Sequence, residues 1–323
     1  MLACWGSVAI YEHPPASLRS STPLINEGGE VTSSRQTMIY GPIDTPGRWP
    51  FSYRQAEIAP QMGMNTVFLS CDGRQVLRSP ASWQALKEGS CVHGTPILMP
   101  PNRTAGGKFT FDGQTWQLPV NEPAFHNHLH GQVHCQQFAV TEETETMVTG
   151  VYENRGETFP YPYRMEVNCR ITEEGYLQEF LITNTGKTDM PVAFGLHTVF
   201  AGPEYIAVPI DKRWVVNDCY IPTGEMEELT GEQRSYRDGM DPNGREVRGF
   251  YTSCGCEARV GDFCYRVSDN FNQWVLWNAD PNSGFCAVEH MCGAVNALNS
   301  GEGLLRLVPG DTVRFATSIY QNK

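Results

Sequence analysis

The stretch that most limits how this chain can fold is Arg164-Met-Glu-Val-Asn-Cys-Arg-Ile171. Polar and apolar residues alternate along it, which in an extended strand puts Met165, Val167, Cys169 and Ile171 on one face. Residues 176–183 alternate again, with Tyr176, Phe180 and Ile182 sharing a side, and Asn184-Thr-Gly186 turns the chain. Half-buried strands joined by tight connections are antiparallel sheet. Asn65-Thr-Val-Phe-Leu-Ser70 is rich in strand formers and runs into Asp72-Gly73, a hairpin turn. A second hairpin is expected around Asp112-Gly113, and two strands around the Pro-Gly-Asp turn near residue 310. Residues 191–200, 273–277 and 285–291 are apolar nearly throughout, so both of their faces should be covered. The fold class is all-β.

One helix is predicted, over residues 80–88, with Ser79 as its cap, Pro80 in the first position and Gly89 as its stop. Residues 221–249 are polar and punctuated by Gly and Pro, and read as a long surface excursion. Residues 1–48 are rich in Ser, Thr, Pro and Gly with little periodicity, and form either a poorly ordered extension or an arm laid over the domain. The remainder, 49–323, is expected to be one domain, a length that all-β sandwiches reach as single units.

Composition excludes several classes of partner. A formal net charge of −12 argues against nucleic acid and anionic membrane, and disfavours a phosphorylated substrate. No segment approaches the roughly 20 apolar residues of a membrane span. The N-terminal residues lack a basic region and a small-residue cleavage site. Eleven cysteines, an odd number without CxxC pairs, argue against a disulfide framework or a zinc site and suit a reducing, cytoplasmic compartment.

Four of the eight histidines crowd into Asn121-Glu-Pro-Ala-Phe-His-Asn-His-Leu-His-Gly-Gln-Val-His134. Imidazole near neutral pH can exchange a proton, bind a hydroxyl or hold a metal. His128-x-His130 followed by His134 has a faint metal-ligand spacing of the cupin kind, but the accompanying glutamate is missing. Three further segments carry chemistry. Pro100-Pro101 stiffens the backbone ahead of Asn102 and Arg103. His197 sits within an apolar strand. Glu289 closes another, and a glutamate is rarely buried without a partner or a purpose.

Together these segments resemble the aldose 1-epimerase (galactose mutarotase-like) family. Pro101-Asn-Arg103 precedes a Gly-x-Phe-x-x-Asp-Gly hairpin, and Asn127-His-Leu-His-Gly131 follows it. Gly195-Leu-His-Thr-Val-Phe200 is similar to the family's Gly-x-His-x-x-Phe, and Glu289 to Asn296 to its Glu-Pro-x-x-x-x-x-Asn. The resemblance covers about residues 50–320. It implies a large antiparallel β-sandwich with a concave sugar-binding cleft, and interconversion of the anomers of a free hexose without metal or organic cofactor. By position it implies Glu289 as general base and His197 as general acid. Arg103, Asn102 and His130 would bind the sugar, with His128 beside them.

Arg103, His130, His197 and Glu289 should then converge on one open cleft, with Glu289 ionised and His197 protonated. Three departures stand out. His290 and Thr198 replace frequent prolines, and no acid precedes Phe250 where the family has a sugar-binding aspartate; Asp241 is the nearest candidate. A non-catalytic carbohydrate-binding protein and a sugar-phosphate epimerase share the fold and remain alternatives. The expected partner is a small-molecule sugar substrate, and the protein is expected to be a monomer or homodimer.

Overall fold

The computed structural model describes residues 37–40, 54–71 and 73–322. The boundary expected near residue 49 lies outside them, as does nearly all of the expected extension. Its described part, Thr37–Tyr40, is a strand parallel to Arg54–Ala59, so this short piece does carry regular structure.

The alternating segments build an eight-stranded antiparallel sheet. In spatial order its strands are Ala139–Glu143, Met147–Asn154, Tyr163–Ile171, Gly175–Asn184, Thr312–Gln321, Phe263–Val267, Glu257–Val260 and Ile206–Ala207. Tyr163, Met165, Val167, Cys169 and Ile171 all point inward and are buried, as the period of two requires. Each such side chain contributes about 1.5–3 kcal/mol by leaving water.

The nearly unbroken apolar segments form a second eight-stranded sheet. Its order is Pro222–Glu228, Ile210–Val216, Arg248–Ser253, Gln273–Trp277, Phe285–Cys292, Phe194–Leu196 and Ile97–Leu98, with Val199–Ala201 also pairing Phe285–Cys292. Its outermost strand, Pro222–Glu228, is exposed along nearly its whole length. The two sheets pack through one large cluster that includes Phe180, Phe194, Phe271 and Phe315. Phe194 lies 4.7 Å from Phe315, and Phe271 lies 5.0 Å from Phe315 (ring centroids).

The second sheet is also apolar on its other face. Phe285 and Ala287 pack there with Val199 and Trp277, and Met291 packs with Val275 and Phe250. Glu289 belongs to this same alternate set, which explains why residues 285–292 read as apolar on both sides. The architecture is the expected antiparallel β-sandwich.

The helices differ from expectation. The first is Trp83–Glu88, capped by Ser82, whose Oγ accepts from Ala85 N–H at 3.1 Å. Ser79 instead accepts from Gln75 Nε2 (3.1 Å). The helix begins where its side chains reach a core, with Leu86 and Trp83 packed on Ala59, Met62 and Val67. A second helix, Gly231–Asp238, occupies the expected surface excursion, as does the strand Pro222–Glu228. Thr230 and Gln233 form a reciprocal capping box at its start. A single turn, Ala297–Ser300, is also helical. Among the described residues no helix is long and apolar enough to cross a membrane.

Candidate functional site

His197 occupies a break between two short strands, Phe194–Leu196 and Val199–Ala201, that both pair with the strand of Glu289. Its backbone N–H donates sideways to Pro96 O (3.1 Å) while the Thr198 carbonyl accepts from Val288 N–H (2.9 Å). This break brings His197 Nε2 to 3.3 Å from Glu289 Oε1. Both side chains are about 2% exposed.

His130 meets His197 edge to face, with ring centroids 5.3 Å apart. Its backbone is left-handed (φ 65°), as is that of Gly131 (φ 65°), and its N–H donates to Asn102 O (2.8 Å). Gly131 is required here, because a Cβ would stand 2.1 Å from Met99 O. Gly131→Ala therefore combines a clash with left-handed strain and should lower unfolding free energy by at least about 2 kcal/mol. Urea denaturation measures this, and a wild-type midpoint would contradict the packing of this turn.

Arg103 forks onto Glu122, with Nη2 donating to Oε1 (2.7 Å) and Nε to Oε2 (2.9 Å). The two side chains are only 12% and 13% exposed. Nη1 faces Asn102 Oδ1 at 3.4 Å, the guanidinium lies 4.8 Å over the Tyr220 ring, and Asn127 Nδ2 donates to Glu122 Oε2 (3.0 Å). Asn296 ties this strand to the exit of the Glu289 strand. Its N–H donates to Arg103 O (2.9 Å), and its Oδ1 accepts from Ala105 N–H (3.0 Å).

The four expected side chains thus converge, though His130, His197 and Glu289 are buried and Arg103 nearly so, rather than standing in an open cleft. Trp277, 5.8 Å from His197, flanks them, and Phe125 packs on Tyr220 at 5.1 Å. His128 is fully buried, and its Nδ1–H donates to Pro119 O (2.7 Å). Asp241 is exposed and spends its carboxylate on Asn243 in its own turn. The expectation passed over Glu122, Tyr220 and Trp277.

Burial sets the charge of the site. It pushes the Glu289 carboxyl up to about 8, with the nearby Arg103 charge opposing. It holds His197 down at about 4, helped by His134, and His130 well below its usual range, helped by the charges of His197, His134 and Arg103. Burial thus favours a protonated carboxyl beside a neutral imidazole and opposes the expected ion pair. Glu289 Oε2, His197 Nδ1 and His130 Nδ1 are buried polar atoms without a partner among the described residues. Three such atoms on adjoining residues suit a ligand rich in hydroxyls. No group of three His, Cys, Asp or Glu side chains among the described residues could hold a metal ion.

The profile of the family described as Aldose 1-epimerase matches residues 68–320. The chain belongs to the aldose 1-epimerase family. It is 29% identical over 161 residues to a maltose epimerase of Levilactobacillus brevis, a match covering 43% of this chain and 46% of that protein. It is 25% identical over 250 residues to an uncharacterized protein of Escherichia coli K12, covering 72% of this chain and 81% of the other. The chain thus spans less than half of the maltose epimerase in its match.

A galactose mutarotase-like protein of Clostridium acetobutylicum superposes with a TM-score of 0.77 at 23% identity, covering 83% of this chain and 92% of that one. A putative aldose 1-epimerase of Escherichia coli K12 gives 0.74 at 19%, covering 89% and 98%. These two likenesses establish the fold.

Proposed function

We propose that this member of the aldose 1-epimerase family interconverts the α and β anomers of a free hexose by general acid–base ring opening. The observation that carries the reading is the 3.3 Å contact between two fully buried titratable groups, His197 and Glu289. Glu289 takes the proton of the anomeric hydroxyl while His197 gives one to the ring oxygen. The C1–O5 bond breaks as the C1=O1 bond forms. Rotation about C1–C2 and the same transfers in reverse close the ring on the other face. Arg103, Asn102 and His130 hydrogen-bond the sugar oxygens, His130 nearest the ring oxygen. His128, fully buried and tied to Pro119, supports the His130 turn.

The effect of burial on the pair fits this scheme in a specific way. Ring opening converts carboxylate plus imidazolium into carboxylic acid plus imidazole, and burial favours the second arrangement. The two arrangements differ by one proton moved between Glu289 and His197, so both belong to the same overall charge. Activity requires the pair to hold one exchangeable proton in total. It should therefore rise as pH climbs through about 4, where a second proton leaves, and fall through about 8, where the last is lost.

Polarimetry or NMR of anomer equilibration, across free aldoses and their 6-phosphates, tests the function. The pH profile of kcat/KM on the best substrate tests the pair, and a single steep loss near neutrality would contradict the shared-proton account. A protein that binds sugars yet accelerates none of the panel would be the non-catalytic member of the fold.

A further inference from the structure

Behind the proposed acid and base lies a polar group that the sugar chemistry does not use. Thr198 and His290 follow His197 and Glu289 in sequence, and both are fully buried. Both depart from the family's pattern as read in the sequence. Neighbouring residues on extended backbone face opposite ways, so these two point into the core while His197 and Glu289 face the site. The two side chains meet on one atom. Tyr265 Oη lies 2.6 Å from Thr198 Oγ1 and 2.9 Å from His290 Nδ1.

Tyr265 comes from Phe263–Val267, a strand of the opposite sheet. Its ring is lodged between Phe200 (5.4 Å) and the His290 ring (5.1 Å). His290 is held in turn by Phe271 at 4.3 Å. We propose that Tyr265 is a positioning residue whose hydroxyl, shared by Thr198 and His290, fixes the distance between His197 and Glu289. The claim rests on the acid–base reading of that pair.

The physical argument is one of rotation. A strand residue cannot turn about the strand axis without carrying its neighbour with it. Anchoring side chain 290 therefore sets the direction of side chain 289, and anchoring 198 sets 197. The His197 segment benefits from such an anchor, because the strand register is interrupted between Leu196 and Val199 and its backbone bonds divide between Pro96 on one side and Val288 on the other. A single oxygen on the facing sheet serves both anchors, so an error in one is not independent of the other. Tyr265 is held above its ordinary range and His290 below it by burial, so both stay neutral while the site titrates.

Tyr265→Phe removes the shared oxygen and little else, and Thr198→Val removes one arm while keeping the branched shape. The measurements are kcat and the sugar dissociation constant well below the melting temperature, and the titration midpoint of His197 followed by NMR. We expect kcat to fall roughly ten- to hundredfold in Tyr265→Phe, the scale of a misplaced reacting group. A smaller fall is expected in Thr198→Val and none in Thr198→Ser, with sugar binding unchanged and the His197 midpoint displaced in the first two. Lower melting temperatures with wild-type kcat and an unmoved midpoint would overturn the proposal and leave a merely structural tyrosine. If Tyr265→Phe does not fold, the contrast between Thr198→Val and Thr198→Ser decides. If the wild type turns over no sugar, the acid–base reading fails separately, and the His197 midpoint alone decides whether Tyr265 sets the pair.

Discussion

Glu289→Gln should lower anomer turnover by about 10²-fold or more, roughly 3 kcal/mol of barrier, while sugar binding survives. Glutamine keeps the shape of the residue and loses its exchangeable proton, so the loss falls on kcat rather than on affinity. The same variant reports on charge burial. Burial raises the Glu289 pKa above the ordinary carboxylate value of 4.5. Its contribution to stability is therefore fully present below about 4.5 and is lost as pH rises through about 8. Wild-type protein should lose a few kcal/mol between about pH 5 and 8 that Glu289→Gln does not lose. Equal turnover on every sugar the wild type accepts would remove Glu289 as the base, and parallel stability curves would remove the raised pKa.

Glu122→Ala should cost about 3 kcal/mol of stability, because it leaves the Arg103 guanidinium, 12% exposed, without its carboxylate. Asn127 loses an acceptor at the same time. The sugar-binding role proposed for Arg103 separates from this structural one in the double variant Arg103→Leu/Glu122→Leu. Replacing both partners with apolar groups should restore much of the stability, since a buried ion pair gains little over well-packed hydrocarbon. The sugar affinity should not return. Urea unfolding and equilibrium binding measure the two effects. A Glu122→Ala protein as stable as wild type would show that the guanidinium finds water once released.

The fold was legible because alternation survives wherever one face is buried and the other wet. Residues 164–171 carry that pattern without interruption, and every inward position there is buried. The helix Gly231–Asp238 was missed because its only buried side chain is Tyr236, which leaves no apolar period to detect. Its capping box, Thr230 with Gln233, was the signal available. At the site, Arg103, His130, His197 and Glu289 were legible because each lies in a short motif that resembles the family's. Glu122 was not, since a glutamate ahead of a proline in a polar loop reads as solvated. Its partner is 19 residues away and meets it only after the intervening hairpin has folded back. The pull of burial on the charges of the pair was not legible for a related reason. Ordinary pKa values describe groups in water, and sequence alone does not say how completely two side chains leave it.

The exposed rim strand Pro222–Glu228 bears on how molecules of this protein meet one another. An unpaired strand edge offers its backbone donors and acceptors to any extended chain, and sheet proteins must prevent such stitching. Here the strand opens with a proline, which has no N–H to offer. Glu225, Glu227 and Glu228 follow on it, and Lys212 and Arg213 approach the last two at 3.5 and 3.9 Å. A second copy drawing alongside would press a row of carboxylates against its own likeness, on a chain already carrying a net charge of −12. The rim is thus built against self-templated polymerisation, by a missing donor at its start and like charge along its length.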